Sequence, residues 1–329
     1  MSRSKAPSHR PQSKRGTKAA PRKARAGDPA ARRWLVGAIV VLGVVLLGLA
    51  ERVIWVGALV RELGVATGAL ALVLAVGALA SRRALPAGLL IVASLTAWLP
   101  SWPMLRPVRL TPEKGPLFRV AEATLDGAPV DERTVRSFAA STRIDLLAVV
   151  GTTAASVRTL DAALPHMPHR ARALGADRRQ AIWSRLPLRG VAKAPAFRVR
   201  VGKCDVQMVV MSVAPLARVM QKAERGRELR ALEGISDSAR AVWLGALGSR
   251  PQAPDVERVR MRQRLRDTRL GHGLLATHPS WLGPFGFSTD HVLVRGWIAV
   301  RERAIHAPLG ESAHATLTSS LELTDPRCR

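Results

Sequence analysis

The sequence predicts an α/β domain of two packed β-sheets with helices on their outer faces, preceded by three transmembrane helices. Three observations predict it. Three apolar runs crowd residues 34–99, with charges only between them. Beyond residue 117, short continuous apolar runs typical of buried strands alternate with helix-patterned stretches. The stretch Ser288–Leu323 then reads as three successive strands: a β-branched run at His291–Val294, alternation over Trp297–Ile305, and a third run at His314–Leu323. Sheets and helices in this mixture bury their apolar faces best as sheet on sheet with helices outside.

Composition narrows the partners. With 51 Lys and Arg against 24 Asp and Glu, the net charge is +27, which favours anionic partners such as lipid head groups or other anionic ligands. Nucleic acid is not favoured, because a chain with no Tyr and five Phe offers few aromatic platforms for bases. The two cysteines, Cys204 and Cys328, are too few for a disulfide scaffold and lack metal-site spacing. They are able to pair in an oxidising compartment, and the sequence alone does not decide whether they do.

Taken in order, residues 1–33 are rich in Lys, Arg, Ser and Pro, and too poor in large apolar side chains to order themselves. The apolar runs follow at Trp34–Ala50, Leu63–Ala80 and Ala84–Leu99. Each is about 16 to 18 residues long, at the short end for a bilayer span. They are apolar all round rather than striped, unlike the helices of a soluble core. A long basic leader argues against a cleavable signal. The basic tail and Arg82-Arg83 should both stay cytoplasmic, so that the third helix delivers the rest of the chain to the outer face. Trp98 and Trp102 mark that exit. Residues 101–116, with Pro103, Pro107, Pro112 and Pro116, read as a stiff extended linker.

The domain, residues 117–325, opens with an alternating strand at Leu117–Leu125 and a helix at Val130–Ser141. A buried strand at Asp145–Val150 and a helix at Thr152–Leu164 follow. Phe197–Val201 and Val206–Val213 read as a hairpin, Ala217–Glu233 as a helix with ion-pair spacings, and Ala241–Gly245 as a buried strand.

Asp290 stands at the mouth of the first C-terminal strand and His314 opens the last. If neighbouring strands bring them together, the carboxylate orients the imidazole for acid–base work. The segments Thr289-Asp290-His291-Val292-Leu293-Val294 and Ser312-Ala313-His314 resemble the I-D-H-V-L-V and S-D-H motifs of the endonuclease/exonuclease/phosphatase family, the deoxyribonuclease-like metal-dependent phosphoesterases. Ala181–Leu188 resembles that family's strand ending in S-R-x-P-L. The resemblance spans most of residues 117–323 and is strongest to bacterial members that carry three membrane helices before the domain. It implies a four-layer α/β/β/α sandwich of mixed sheets in the plasma membrane, hydrolysing phosphoesters with Mg2+ or another divalent cation if active. It also favours a helix at Pro254–Leu265, although Arg258, Arg260, Arg262, Arg264 and Arg266 recur with a period of two.

The same resemblance exposes departures where metal and phosphate ligands belong. Thr124 replaces the Asn of T-A-N, and Gly151 replaces the Glu of Q-E. Ala214 replaces the His of N-x-H. Ala246 and Gly248 replace the Asp and Asn of G-D-F-N, and Ala313 replaces the Asp of S-D-H. Only Asp290, His291 and His314 survive, which is too little for a hard cation. The expectation is a membrane-anchored, non-catalytic binding or scaffolding domain that needs no cofactor, with lipid and anionic ligands or another membrane protein as partners. The alternative is an active hydrolase whose repurposed metal site uses Glu122, Asp290 and His314. Glu122 lies two residues from Thr124 on one strand face, and Asp126 and Glu311 are also near motif positions.

Overall fold

The structure is a computed structural model. It describes residues 29–49, 63–108, 112, 114–174, 179–190, 196–213, 222–233, 235, 238–250 and 253–328. Among the described residues three apolar helices come first: α1 (Pro29–Leu49), α2 (Gly64–Ala80) and α3 (Ala84–Trp98). They meet along a seam of small residues, with Ala38, Ala71, Ala75, Ala78, Ala87 and Ala93 buried between them. Small side chains let helix backbones approach, as apolar helices packed in lipid require. At one such approach a Cβ on Gly68 would lie 2.1 Å from Trp98, and the Ser94 hydroxyl donates to the Gly68 carbonyl at 2.9 Å. Two helical segments, Pro29–Leu49 and Ala84–Leu105, are long and apolar enough to cross a membrane, whereas α2 is apolar but only 17 residues long.

The expected ends of these segments shift. Pro29–Arg33, placed in the tail by sequence, forms the first turn of α1. The helical path also runs past Leu99 through a 3-10 turn into α4 (Trp102–Leu105), where a linker was expected. What is described of that linker is fastened to the domain. The Gly271 and Gly273 N–H groups donate to the carbonyls of Pro103 and Met104. Further on, the N–H groups of Lys114 and Gly115 donate to Glu322 Oε1 at 2.6 and 2.7 Å.

The domain then builds two six-stranded sheets. The strands of the first are β1 (Leu117–Thr124), β2 (Leu146–Val150), β3 (His169–Leu174), β4 (Arg179–Ser184), β11 (Ile298–His306) and β12 (Thr316–Leu323), in the order β11-β12-β1-β2-β4-β3. Those of the second are β5 (Leu188–Gly190), β6 (Ala196–Val201), β7 (Cys204–Ser212), β8 (Ala241–Ala246), β9 (Arg266–Asp267) and β10 (Asp290–Arg295), in the order β5-β6-β7-β8-β10-β9. Each sheet is mixed, with one parallel pair, β1 with β2 and β7 with β8, inside antiparallel neighbours. Crossover helices join the parallel pairs. These are α5 (Glu132–Thr142), N-capped by the Asp131 carboxylate, and α7 (Lys222–Glu233). With α6 (Ala154–Ala163) and α8 (Pro254–Arg262) they cover the outer faces.

Strand alternation divides the core. Leu146, Ala148 and Val150 point between the sheets, while Leu147 and Val149 face the helices. Val292 and Val294 likewise face inward, and Leu293 outward. The Arg-rich stretch at 258–262 is helical, as the resemblance favoured, with Val256 and Val259 buried.

The three C-terminal strands do not form one sheet. The chain turns after Arg295 and leaves the second sheet for the first. Gly296 makes the turn with φ +80°, where a Cβ would lie 2.1 Å from the Ala239 carbonyl oxygen. Asp290 and His314 are therefore on opposite sheets rather than neighbouring strands. At the other end of the sandwich, Cys204 at the start of β7 is disulfide-bonded to Cys328, in the turn that follows β12. The bond closes 124 residues of chain and joins the sheets covalently.

Replacing both cysteines with alanine should lower unfolding stability by about 2–4 kcal/mol, because the unfolded chain loses a long loop constraint. Denaturation of the full chain in detergent, with and without the substitutions, checks this. Equal midpoints would show that the bond constrains nothing.

Candidate functional site

The two sheets meet in a polar cluster at the end of the sandwich opposite the disulfide. Glu122 and Thr124, two residues apart on β1, face inward together as the strand period requires. Asp290 enters from β10 and His314 from the turn before β12. All four are buried, with Glu122 and Asp290 fully closed to solvent. Asp290 Oδ2 lies 2.7 Å from His314 Nδ1 and also accepts the Thr289 hydroxyl at 3.0 Å. Thr124 Oγ1 sits between the carboxylates, 2.7 Å from Asp290 Oδ1 and 2.9 Å from Glu122 Oε1. The Ser312 hydroxyl, two residues before His314, donates to the Thr124 carbonyl at 2.6 Å and accepts the His314 N–H at 3.1 Å.

Charge settles where the protons are. Burial, and then the Asp290 charge, push the Glu122 carboxyl well above the usual carboxylate range. Burial would push Asp290 up as well, but the hydrogen bond and charge of His314 hold it down at about 2. For His314, burial alone would favour the neutral ring. Asp126 and Asp290 outweigh it and raise the imidazole from 6.5 to about 10. The Thr124 hydroxyl has one proton to give. It lies within donating distance of both Asp290 and Glu122. The cluster is thus a hydrogen-bonded chain from Glu122 through Thr124 to Asp290, closed by the His314 imidazolium.

Two neighbours complete it. His314 Nε2 is 3.3 Å from Asp126 Oδ2, whose side chain is largely exposed. The His278 ring stacks on His314 with centroids 4.2 Å apart, and burial, followed by the His314 charge, lowers its own pKa. Beneath the cluster lies a second buried group, Asp267 with Arg269 and Arg303. Arg303 reaches the interior through a bulge in β11 between Val300 and Glu302, which reverses the strand's alternation.

The remaining motif positions have structural occupants. Gly151 has φ +72°, and a Cβ there would lie 2.6 Å from the Asp126 amide nitrogen, so the turn after β1 fills the space of a side chain. Ala246 pairs with Asp290 across β8 and β10. The loop after it, through Gly248, is clamped rather than open. Arg225 donates to the Leu247 carbonyl and the Ser249 hydroxyl, and His291 Nε2 donates to the Ser249 carbonyl at 2.7 Å. Burial and then the Arg269 charge lower the His291 imidazole to about 3, so this ring is neutral. Ala313 is exposed, and its carbonyl accepts the Ser280 N–H at 2.7 Å. Ala214 lies outside the described residues.

No family model matches the chain, and no curated protein matches it. Solved structures do. An endonuclease/exonuclease/phosphatase from Beutenbergia cavernae DSM 12333 is 16% identical with TM-score 0.46, covering 63% of this chain and 72% of that one. An AP endonuclease from Archaeoglobus fulgidus is 13% identical with TM-score 0.48, covering 61% and 98%. A 3'-5' exonuclease from Neisseria meningitidis is 16% identical with TM-score 0.47, covering 62% and 100%. None of these values gives a residue a role.

A hard divalent cation takes several ionised oxygens. The donor set does not fit one. Gly151, Ala246, Gly248 and Ala313 bring no side-chain oxygen, and Asp290 is already held by Thr124, Thr289 and a cationic His314. Among the described residues, no three His, Cys, Asp or Glu side chains are arranged to hold a metal ion. Sequence reasoning found Glu122, Asp126, Asp290 and His314 but gave no role to Ser312, His278 or Arg303. Only Ser312, inside a quoted motif, carried a signal.

His314→Ala should destabilise the domain by about 1–3 kcal/mol by orphaning a buried carboxylate, and Asp290→Asn should cost less. The imidazole is raised in the folded state, so its contribution is full below 6.5 and lost as pH rises through about 10. Asp290 is depressed, so its share is present above 3.8 and lost as pH falls towards about 2. Denaturation curves of wild type and His314→Ala should therefore converge as pH climbs from 6.5 towards 10. A gap that stays constant over that window would contradict the ion pair.

Proposed function

We propose that this chain is a membrane-anchored protein whose phosphoesterase-like domain binds or scaffolds and does not hydrolyse. The observation that carries the reading is the Thr124 hydroxyl. It bridges Glu122 Oε1 and Asp290 Oδ1, so each inward carboxylate has an oxygen engaged within the protein, while Glu122 Oε2 is buried without a hydrogen-bond partner among the described residues. Such a cluster holds the two sheets together.

One observation favours the active hydrolase as a second reading: Glu122, Asp290, His314 and the exposed Asp126 do converge. That reading requires Glu122 to ionise and Thr124 to release both carboxylates. Calorimetric titration of Mg2+ and Mn2+ into the full chain in detergent, with assays on generic phosphomonoesters and phosphodiesters, separates the two. No binding heat and no turnover are expected. Glu122→Gln should retain wild-type stability within about 1 kcal/mol, since a neutral amide can still donate to Thr124. Metal-dependent turnover abolished by His314→Ala would establish the hydrolase instead.

The apolar helices anchor the domain in a bacterial-type plasma membrane, with the basic tail inside and the domain outside. The Lys and Arg residues of the tail and Arg82-Arg83 support this orientation. So does the Cys204–Cys328 bond, a linkage that persists outside the reducing cytoplasm. Reporter fusions before Trp34 and after Leu99 should read cytoplasmic and external respectively. A cytoplasmic signal from the second would mean that one apolar run does not span.

A further inference from the structure

The segment between His278 and Asp290 contains a 3-10 turn, Ser280–Phe285, with the sequence SWLGPF. Trp281 is 78% exposed and Phe285 46%. Exposed apolar side chains gathered in one patch mark an interaction surface. The turn is fixed to the polar cluster, because Ser280 donates to the Ala313 carbonyl and His278 stacks on His314. It also lies beside α2. On the same side, the end of the apolar helical path docks through Pro103 and Met104 on Gly271 and Gly273, leaving Trp102 60% and Leu105 42% exposed.

From these contacts we infer that the turn Ser280–Phe285 is an interfacial membrane anchor, inserting Trp281 and Phe285 into the lipid head-group layer. The inference rests on the membrane reading above and adds to it an orientation. The domain lies with its His314 end against the bilayer and its disulfide end pointing away. Two features select lipid as the occupant. The exposed aromatic turn lies beside the apolar helix α2, and the helical path ends in an exposed Trp102, a residue type that interfaces favour. The turn also lies next to α2, so lipid around that helix borders it.

Site-directed spin labelling of the full chain in nanodiscs of phosphatidylcholine and phosphatidylglycerol tests the inference. Among the described residues there is no free cysteine, so an added thiol takes the label. Four single variants suffice: Trp281→Cys, Phe285→Cys, Leu72→Cys on α2, and Arg200→Cys at the disulfide end. Collisions with a water-soluble nickel chelate should fall severalfold at 281 and 285 relative to 200, while collisions with lipid-dissolved oxygen rise. Leu72 reports the anchor itself. If its label is lipid-shielded while those at 281 and 285 behave like that at 200, the interfacial turn is overturned and the spanning helices stand. If Leu72 is also open to the chelate, the membrane reading falls with it. Shielding at 281 accompanied by dipolar broadening between labels would assign the surface to a second copy of the chain and overturn the lipid assignment.

Discussion

The Asp290–His314 contact is the interaction on which the sandwich depends at its polar end. Two sheets that share an apolar core need nothing more in their middle, where Val120, Ala148, Val210 and Leu244 interleave. At the end, polar side chains from both sheets are driven inward, and a carboxylate closed to water has to find a charge. His314 supplies it across the gap, and the Thr124 and Thr289 hydroxyls donate to the same carboxylate. Since the partners belong to different sheets, the contact fixes sheet position as well as charge. The disulfide does the corresponding task at the other end, so the sandwich is clasped twice by different chemistry.

A buried charged cluster is a weak source of net stability, because desolvation cancels most of the attraction. Its arrangement is more informative than its strength. Burial and the Asp290 charge raise the Glu122 carboxyl well above the usual range, whereas Asp267 meets two arginines, whose charges overcome its burial and hold it at about 2. Arg303 sits near Asp267 and Glu122, and burial, only partly countered by Asp267, lowers it to about 9.

Much of this was legible in the chain, for identifiable reasons. The buried strands Leu146–Val150 and Ala241–Ala246 announce themselves as unbroken apolar runs, and the α5 helix as an amphipathic stretch behind Asp131. Asp290 and His314 were legible as motif residues. Their sheets were not, since nothing local in DHVLVR or in TLTSSLEL says which neighbour each strand will choose. The strand His169–Leu174 was missed because HRARAL alternates arginine with small residues, a weak apolar signal on an edge strand. Arg303 was invisible for a different reason. Simple alternation from Ile298 turns it outward, and one bulge reverses that. The linker's attachment to Gly271, Gly273 and Glu322 rests mainly on backbone groups, which every sequence carries alike.

The position of β1 has a consequence for the order in which the domain forms. Its antiparallel partner is β12, with Leu117 opposite Glu322. The first strand to be made must therefore wait for nearly the last, and pairing of this kind is slow because so much chain has to be gathered first. During that interval β1 has an open edge beside the helices that precede it, and an open edge invites wrong partners. The cysteine bond cannot guard against this, since Cys328 emerges later still. It can only seal the arrangement once the sheets have met, which makes oxidation a final step in maturation rather than a guide to it.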